Sequence, residues 1–151
     1  MSGAVETLAK GPVTLQVQGH LIVDTPGPGF TDITAPVARW VAQANCRTGL
    51  LVAFCRHTSA SLTIQENADP DVRRDLMTAL DRLAPRAAPY RHHLEGPDDM
   101  PAHIRTMLTD VSVQIPVQDG RPALGTWQGL YFVEHRDAPH RREILLHLTG
   151  T

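Results

Sequence analysis

Apolar and polar residues alternate near the start of the chain, which is the pattern of a half-buried β-strand. Val13, Leu15 and Val17 follow this alternation, and residues 20–23 either continue that strand or pair with it. Proline and glycine at positions 26–29 then break the pattern. The first part of the chain is therefore predicted to be β-structure that ends in a turn.

Three later segments have the apolar spacing of amphipathic helices. Pro36 lies in the first turn of the first helix, the second ends before Pro85, and the short third helix reaches Leu108. The candidate N-terminal caps are Asp32 or Thr34, then Asp69, then Asp98 or Asp99. The Asp69–Pro70 pair gives the clearest helix start.

The remaining apolar runs have the length and composition of strands. They cover residues 50–55, 61–64, 111–115, 124–133 and 143–148. Residues 50–55 are continuously apolar, which predicts a central strand, and Asp119–Gly120 is a hairpin turn signal. Short connections and an excess of strands predict one α+β domain over residues 1–151 with largely antiparallel β-sheets, not a doubly wound nucleotide fold.

The charge balance argues against one class of function. The chain has 14 Lys+Arg and 16 Asp+Glu, a formal net charge of −2, whereas a general nucleic-acid binder needs a basic surface. Lys10 is the single lysine, so a phosphate-loop or Schiff-base lysine is not expected elsewhere. We expect no nucleic-acid partner.

The sequence gives no sign of a membrane span or a secretion signal. Residues 50–54 and 144–146 are far too short to cross a bilayer, and residues 1–11 lack a basic start followed by an apolar run. Cys46 and Cys55 do not form a CxxC motif and are interpreted as reduced thiols. These features predict a cytoplasmic protein with no membrane partner.

Polar residues directly follow the predicted central strand. His57 is a candidate general acid–base or metal ligand, and the hydroxyl and N–H groups of Thr58 and Ser59 could hold an oxyanion. The alternative is a hydroxyl-rich turn between strands. Glu66 and Asn67 form a second polar pair with no evident structural role, just before a helix start whose N–H groups could bind an anion.

A third cluster contains His92, Asp98, Asp99 and His103. If a helix begins near the two aspartates, Asp99 and His103 are four residues apart and share a face. Two imidazoles with a carboxylate suit zinc, whereas the carboxylates alone suit Mg²⁺ held against a substrate phosphate. The alternative is a helix capped by acids, with solvent-exposed histidines.

A glycine-flanked tryptophan marks a fourth cluster. Trp127 lies between Gly125 and Gly129, and a strand tryptophan is expected to pack in the core. Downstream, Glu134 and Arg142 are expected to pair across adjacent strands.

Together these clusters resemble the YjbQ-type family, small bacterial and archaeal proteins often labelled secondary thiamine-phosphate synthase. The matching text is HTSASLTIQENADP at 57–70, Tyr90-x-His92, EGPDDMPAHI at 95–104 and LGTWQG at 124–129, with Glu134 and Arg142 near the end. The resemblance implies an α+β fold whose sheets pack around a three-fold axis in a homotrimer.

The resemblance also implies that one polar site gathers these residues. Its members would be His57, His92, Asp98, Asp99 and His103, with Glu66, Asn67 and Arg142 lining it. His93, His135, His140 and His147 lie outside the pattern and are taken as incidental. In a trimer, His57 of one subunit could lie near His103 of another.

The family's named activity joins a pyrimidine diphosphate to a thiazole phosphate and releases pyrophosphate, and we expect it to be a secondary activity. A divalent ion, Mg or Zn, would be held by His92, His103, Asp98 and Asp99 and would neutralise the leaving diphosphate. Arg142, Thr58 and Ser59 would hold phosphate oxygens. The catalytic residues would be His57, which handles a proton, with Asp99 and His103. Two alternatives stay open: a metal- or anion-binding homotrimer without turnover, and a metal-dependent phosphoester hydrolase.

Overall fold

The computed structural model describes residues 3–151. Within that range the elements are β1 (Leu15–Thr25), β2 (Gly29–Asp32), α1 (Thr34–Gln43), β3 (Thr48–Cys55), β4 (Ala60–Glu66), α2 (Pro70–Leu83), α3 (Asp99–Leu108), β5 (Ser112–Gln118), β6 (Arg121–Pro122), β7 (Gln128–Glu134) and β8 (His140–Gly150). Leu15, Val17 and residues 20–23 lie in one continuous strand of 11 residues, whereas Val13 precedes that strand and is exposed.

The strands form two antiparallel sheets. One has the order β1-β8-β3-β5-β6 and the other the order β2-β7-β4. Every strand pair in them is antiparallel. The predicted α+β class, with three helices and antiparallel sheets, is therefore confirmed.

Residues 50–55 do form the central strand of the larger sheet, but only one face of that strand is buried. Leu51 and Ala53 are fully buried, whereas Leu50 and Phe54 are 42% and 45% exposed. Side chains alternate between the two faces of a strand, so the apolar run places part of its residues in the core and part on an open sheet face. Leu145 of β8 is beside Phe54 in the strand register and is also exposed.

The helix starts agree with the sequence to different degrees. Asp69 caps α2, since its carboxylate accepts a 2.9 Å hydrogen bond from the Asp71 N–H. Ile33 occupies the cap position of α1, while Asp32 Oδ1 accepts from the Thr34 N–H. Asp98 precedes α3 but makes no side-chain capping bond. Its carboxylate instead accepts a hydrogen bond from Arg136.

Trp127 does not pack in a core strand as expected. It lies in the turn before β7 and is 65% exposed. The strand predicted for residues 124–133 therefore begins only at Gln128, because residues 124–127 connect β6 to β7 instead of joining the ladder. The Trp127 carbonyl accepts a hydrogen bond from the Asn67 N–H, which ties this turn to the end of β4.

The site is positioned by the pairing of β4 with β7 and by α3. Ala60, the first residue of β4, lies opposite Glu134, the last residue of β7, and α3 contacts β4. The segment before β4, the turn after β7 and the start of α3 therefore meet at one end of the smaller sheet. None of the helices within residues 3–151 is long and apolar enough to span a membrane.

Candidate metal site at the start of helix α3

Three side chains converge at the start of α3. Asp99 Oδ2 lies 2.6 Å from His92 Nε2 and 3.1 Å from His103 Nε2, and the two imidazole rings are 5.5 Å apart. One possible ligand atom from each residue falls within 4.8 Å of the others. Because positions four apart share a helix face, Asp99 and His103 point the same way, and His92 reaches them from the preceding loop.

His103 is held in an orientation that suits a metal ligand. Its Nδ1 lies 2.9 Å from the Thr58 carbonyl oxygen. A carbonyl oxygen only accepts hydrogen bonds, so Nδ1 must carry the proton. That assignment leaves Nε2, the atom facing Asp99, as the atom available to coordinate. Metal-bound histidines usually donate their second ring N–H to a carbonyl or carboxylate in this way.

Arg136 fixes the acids of this group. Its Nη1 donates to Asp99 Oδ1 at 2.7 Å, and its Nε donates to Asp98 Oδ2 at 2.9 Å. Its Nη2 donates to the Glu95 carbonyl at 3.0 Å. Asp99 therefore offers one oxygen to the guanidinium and the other to the two imidazoles. Burial raises the pKa of Asp98, but the hydrogen bonds from Arg136 and the Asp137 N–H outweigh burial and hold that pKa below its usual value.

Asp98 is outside the group of three, contrary to its predicted role as a metal ligand. Its Oδ2 accepts hydrogen bonds from Arg136 and from the Asp137 N–H, each 2.9 Å long. Glu95 also approaches the group, since its Oε2 lies 3.7 Å from His92 Nε2. Gly96 makes the bend between them: its φ is +104°, and an added Cβ would lie 3.0 Å from Asp98 Oδ1.

His57 lies beside this group without joining it. Its Nε2 accepts a 2.9 Å hydrogen bond from the Glu143 N–H in β8. Burial lowers the pKa of His57, and the positive charge of Arg142 acts in the same direction. Since neutral imidazole carries one proton, that proton is on Nδ1. The link to the group runs through its neighbour Thr58, whose carbonyl holds both His103 and the Thr106 hydroxyl.

Arg142 and Ser59 belong to a buried hydrogen-bonded cluster between the two sheets, called here the Glu134–Arg142 cluster. The Arg142 guanidinium is bound to Glu134 through contacts of 2.8 and 2.5 Å, and its Nη2 donates to Ser59 Oγ at 3.1 Å. Thr25 donates to the same Glu134 carboxylate at 2.6 Å. Pairing of Glu134 with Arg142 was expected, but β7 and β8 lie in different sheets. Arg142 is only 6% exposed, so it acts inside the protein and is not presented to a phosphate.

Glu66 and Asn67 lie at the opposite end of β4. Glu66 Oε2 accepts from the Asp69 N–H, and Asn67 Nδ2 donates to the carbonyls of Thr126 and Gln128. Six strand steps separate Ala60 from Glu66, about 20 Å at roughly 3.3 Å per residue. Within one chain these two residues therefore lie far from the His92–Asp99–His103 group. Both have structural roles that the sequence did not reveal.

Comparison with known proteins identifies the family to which this chain belongs. The family model "UPF0047 protein YjbQ-like" matches residues 20–151. The chain belongs to this family. A UPF0047 protein of Synechocystis sp. is 48% identical over 136 residues, covering 89% of this chain and 92% of the relative. A UPF0047 protein of Methanocaldococcus jannaschii is 40% identical, covering 80% of this chain and 85% of the relative.

Solved structures of the family have the same fold. A YjbQ/UPF0047 protein from Clostridium acetobutylicum superposes with a TM-score of 0.79 and 40% identity, covering 85% of this chain and 98% of that one. A Sulfolobus solfataricus protein, described as YbjQ-like and of unknown function, has a TM-score of 0.85 at 22% identity, with coverages of 91% and 99%. The latter likeness concerns the fold alone. The names of these relatives state a family and no reaction, so the chemistry must be argued from the site.

Arg136 is the residue that sequence reasoning missed. Three acids fall within five positions, Glu95, Asp98 and Asp99. Acids that fold into one partly buried cluster favour a nearby cation, because like charges held together are destabilising unless neutralised. That requirement could have prompted a search for an arginine. With twelve other arginines in the chain, the charge argument alone could not have picked this one.

Proposed function

We propose that this chain is a divalent-metal-dependent enzyme that acts on a phosphorylated substrate, with a secondary thiamine-phosphate synthase-like transfer as its reaction. The observation that supports it best is the convergence of His92, Asp99 and His103, with the second nitrogen of His103 on the Thr58 carbonyl. Two imidazoles and one carboxylate suit a borderline ion such as zinc better than Mg²⁺, which prefers oxygen ligands alone.

The residues of the chain divide the work. His92, Asp99 and His103 would hold the ion, and Arg136 would keep Asp99 turned toward it. When bound, the ion would stabilise the negative charge of the leaving diphosphate. The diphosphate would leave with the electron pair of the carbon–oxygen bond that breaks. The thiazole nitrogen would give its lone pair to the new carbon–nitrogen bond. His57, with its proton on Nδ1, would donate a hydrogen bond from that nitrogen to a phosphate oxygen.

The phosphate-binding groups are fewer than the resemblance implies. Arg142 and Ser59 are hydrogen-bonded within the protein, to Glu134 and to each other, so they would not hold phosphate oxygens. Thr58 remains, since its side chain is exposed beside His103. Glu66 and Asn67 could contact substrate only from a second subunit, because of their distance along β4.

A homotrimer is part of this proposal. Leu50, Phe54 and Leu145 leave an apolar area on the outer face of the larger sheet, and contact with another copy would cover it. Light scattering at micromolar concentration would test the assembly, and a monomer would exclude the contribution of Glu66 and Asn67 to a shared site. The cytoplasmic location suggested by the free thiols of Cys46 and Cys55 also stays a prediction.

A synthase assay on purified, zinc-loaded protein tests the activity. We expect turnover that is lost in His103→Ala and strongly reduced in His57→Ala, while Arg39→Ala, at an exposed position of α1, stays active. Metal binding without turnover on either the synthase substrates or a phosphatase panel would instead favour a metal- or anion-binding protein. Release of inorganic phosphate from simple phosphoesters would favour the hydrolase.

A further inference from the structure

A groove opens directly beside the proposed metal site. It has a volume of about 260 Å³, and its lining includes Ala88, Tyr90, His92, Pro97 and Met100. His92 is common to the groove and to the group of three. A ligand that lies in the groove would therefore contact an imidazole that also belongs to the metal site.

The walls of the groove are suited to a planar, polarisable body. Tyr90 contributes an aromatic ring, His93 an imidazole, Pro97 a flat aliphatic ring and Met100 a thioether. Aromatic rings and thioether sulfur make favourable contacts with ring systems. Ala88, Tyr90 and Met100 are each half-buried, so their side chains are packed in place while part of their surface is open.

The outer wall is held in place and is tied to the metal site. The Arg86 guanidinium makes two hydrogen bonds with the Asp137 carboxylate, and the Tyr90 hydroxyl donates to the Pro85 carbonyl at 2.7 Å. Asp137 also donates its N–H to Asp98. One turn, residues 136–137, thus secures the groove wall through Asp137 and the metal-site acids through Arg136. A wall anchored in this way is preorganised for a ligand.

We propose that this groove binds the ring of a phosphorylated aromatic or heteroaromatic ligand whose phosphoryl group lies at the His92–Asp99–His103 site. The inference rests on the proposed function, because the phosphoryl end depends on a bound ion. It adds a binding site for the organic part of the substrate and assigns substrate selection to the segment 86–90 and Met100.

Two phosphate esters of equal charge separate the groove from the metal site. Calorimetry on zinc-loaded protein should show phenyl phosphate binding at least tenfold more tightly than methyl phosphate. In Ala88→Trp, which fills the groove, this preference should disappear while methyl phosphate keeps its affinity. Ala42→Trp, whose side chain lines a different cavity, should retain the full preference.

A second measurement needs no substitution. In protein with labelled methionine methyl groups, phenyl phosphate should shift the Met100 signal, methyl phosphate should not, and the exposed Met107 should serve as an internal reference. Equal affinity of the two esters, or an unmoved Met100 signal, would overturn the groove while leaving the metal-site proposal intact. Failure of both esters to bind the zinc-loaded protein would overturn the proposed function itself.

Discussion

Two charged clusters lie near the end of β7 and differ in how their charges are satisfied. In the Glu134–Arg142 cluster, both carboxylate oxygens of Glu134 face guanidinium nitrogens of Arg142. Glu134 and Arg142 are 1% and 6% exposed. In the group at the start of α3, His92 and His103 keep side-chain exposures of 42% and 33%, with their Nε2 atoms turned toward one carboxylate oxygen. The first cluster is closed and joins two sheets, whereas the second leaves ligand atoms open to a further partner.

The comparison teaches that motif residues of one family need not share one task. Arg142 and Ser59 match the resemblance as well as His92 and His103 do, yet the former stabilise the fold in this chain. The predictions below test this division, from the largest expected effect to the smallest.

Replacement of Glu134 should produce the largest effect, which is a loss of folding stability. Glu134→Ala leaves the buried Arg142 cation without its counter-ion, which typically costs about 3–5 kcal/mol. Chemical denaturation should show this loss in the free energy of unfolding. Zinc affinity of the folded fraction should stay within a few-fold of wild type. A mild stability loss combined with lost zinc binding would reverse the division between the two clusters.

His103→Ala should do the opposite. It removes one of the three proposed metal ligands from a half-exposed position, so zinc affinity should fall at least about 100-fold, or roughly 2.7 kcal/mol. The free energy of unfolding should change by less. Competition with a chelator measures the affinity. His147→Ala is the matched control, since that ring bonds to Gln18 on the outer sheet face. Unchanged affinity in His103→Ala would show that any zinc binds elsewhere.

The stability of the protein should also depend on pH through His135, the residue that follows Glu134 in the chain. This buried imidazole bonds to Ser61 at 2.8 Å. Burial, with the charges of Arg105 and Arg142, lowers its pKa to about 4, although Glu134 opposes the shift. The folded pKa is below the unfolded value of about 6.5, so the unfolded state binds the proton first and stability falls as pH decreases through this interval.

The size of this effect follows from linkage. Between pH 7 and pH 5 the His135 contribution should destabilise the protein by about 2 kcal/mol. Unfolding curves measured across this range give the slope, and His135→Gln should flatten it. An identical slope in the variant would assign the acid sensitivity to other groups. In either case His135 supports the fold, although the sequence offered no reason to separate it from the other incidental histidines.

Local signals in the sequence were enough for most of the fold. Asp69–Pro70 fixed the start of α2, and alternation identified the strands, because caps and periodicity depend on neighbours in the chain. Trp127 was misplaced because flanking glycines and an aromatic residue occur in turns as well as in core strands. The open face of β3 was hidden for a related reason, since a continuously apolar run does not say which face is covered.

The site was less predictable because its contacts join distant segments. The four-residue spacing of Asp99 and His103 put them on one helix face, and His92 was near them in sequence. The roles of Asp98 and Ser59 depended on partners 38 and 83 residues away. No spacing rule reports whether such a charge faces solvent or another side chain.

Arg136 gives the smallest and most discriminating prediction, since it connects the two kinds of region. Its side chain is 21% exposed, and its Nη1 donates to the Asp99 carboxylate. Arg136→Gln should lower zinc affinity about 10-fold, within the range seen for residues that orient metal ligands, and Arg136→Lys should restore only part of it because an ammonium cannot form the planar fork. Arg74→Gln, which removes an exposed pair with Asp71, should change neither affinity nor stability measurably. If Arg136→Gln lowered the melting temperature without any change in zinc affinity, Arg136 would stabilise the fold as the Glu134–Arg142 cluster does. Asp99 would then hold its position without Arg136.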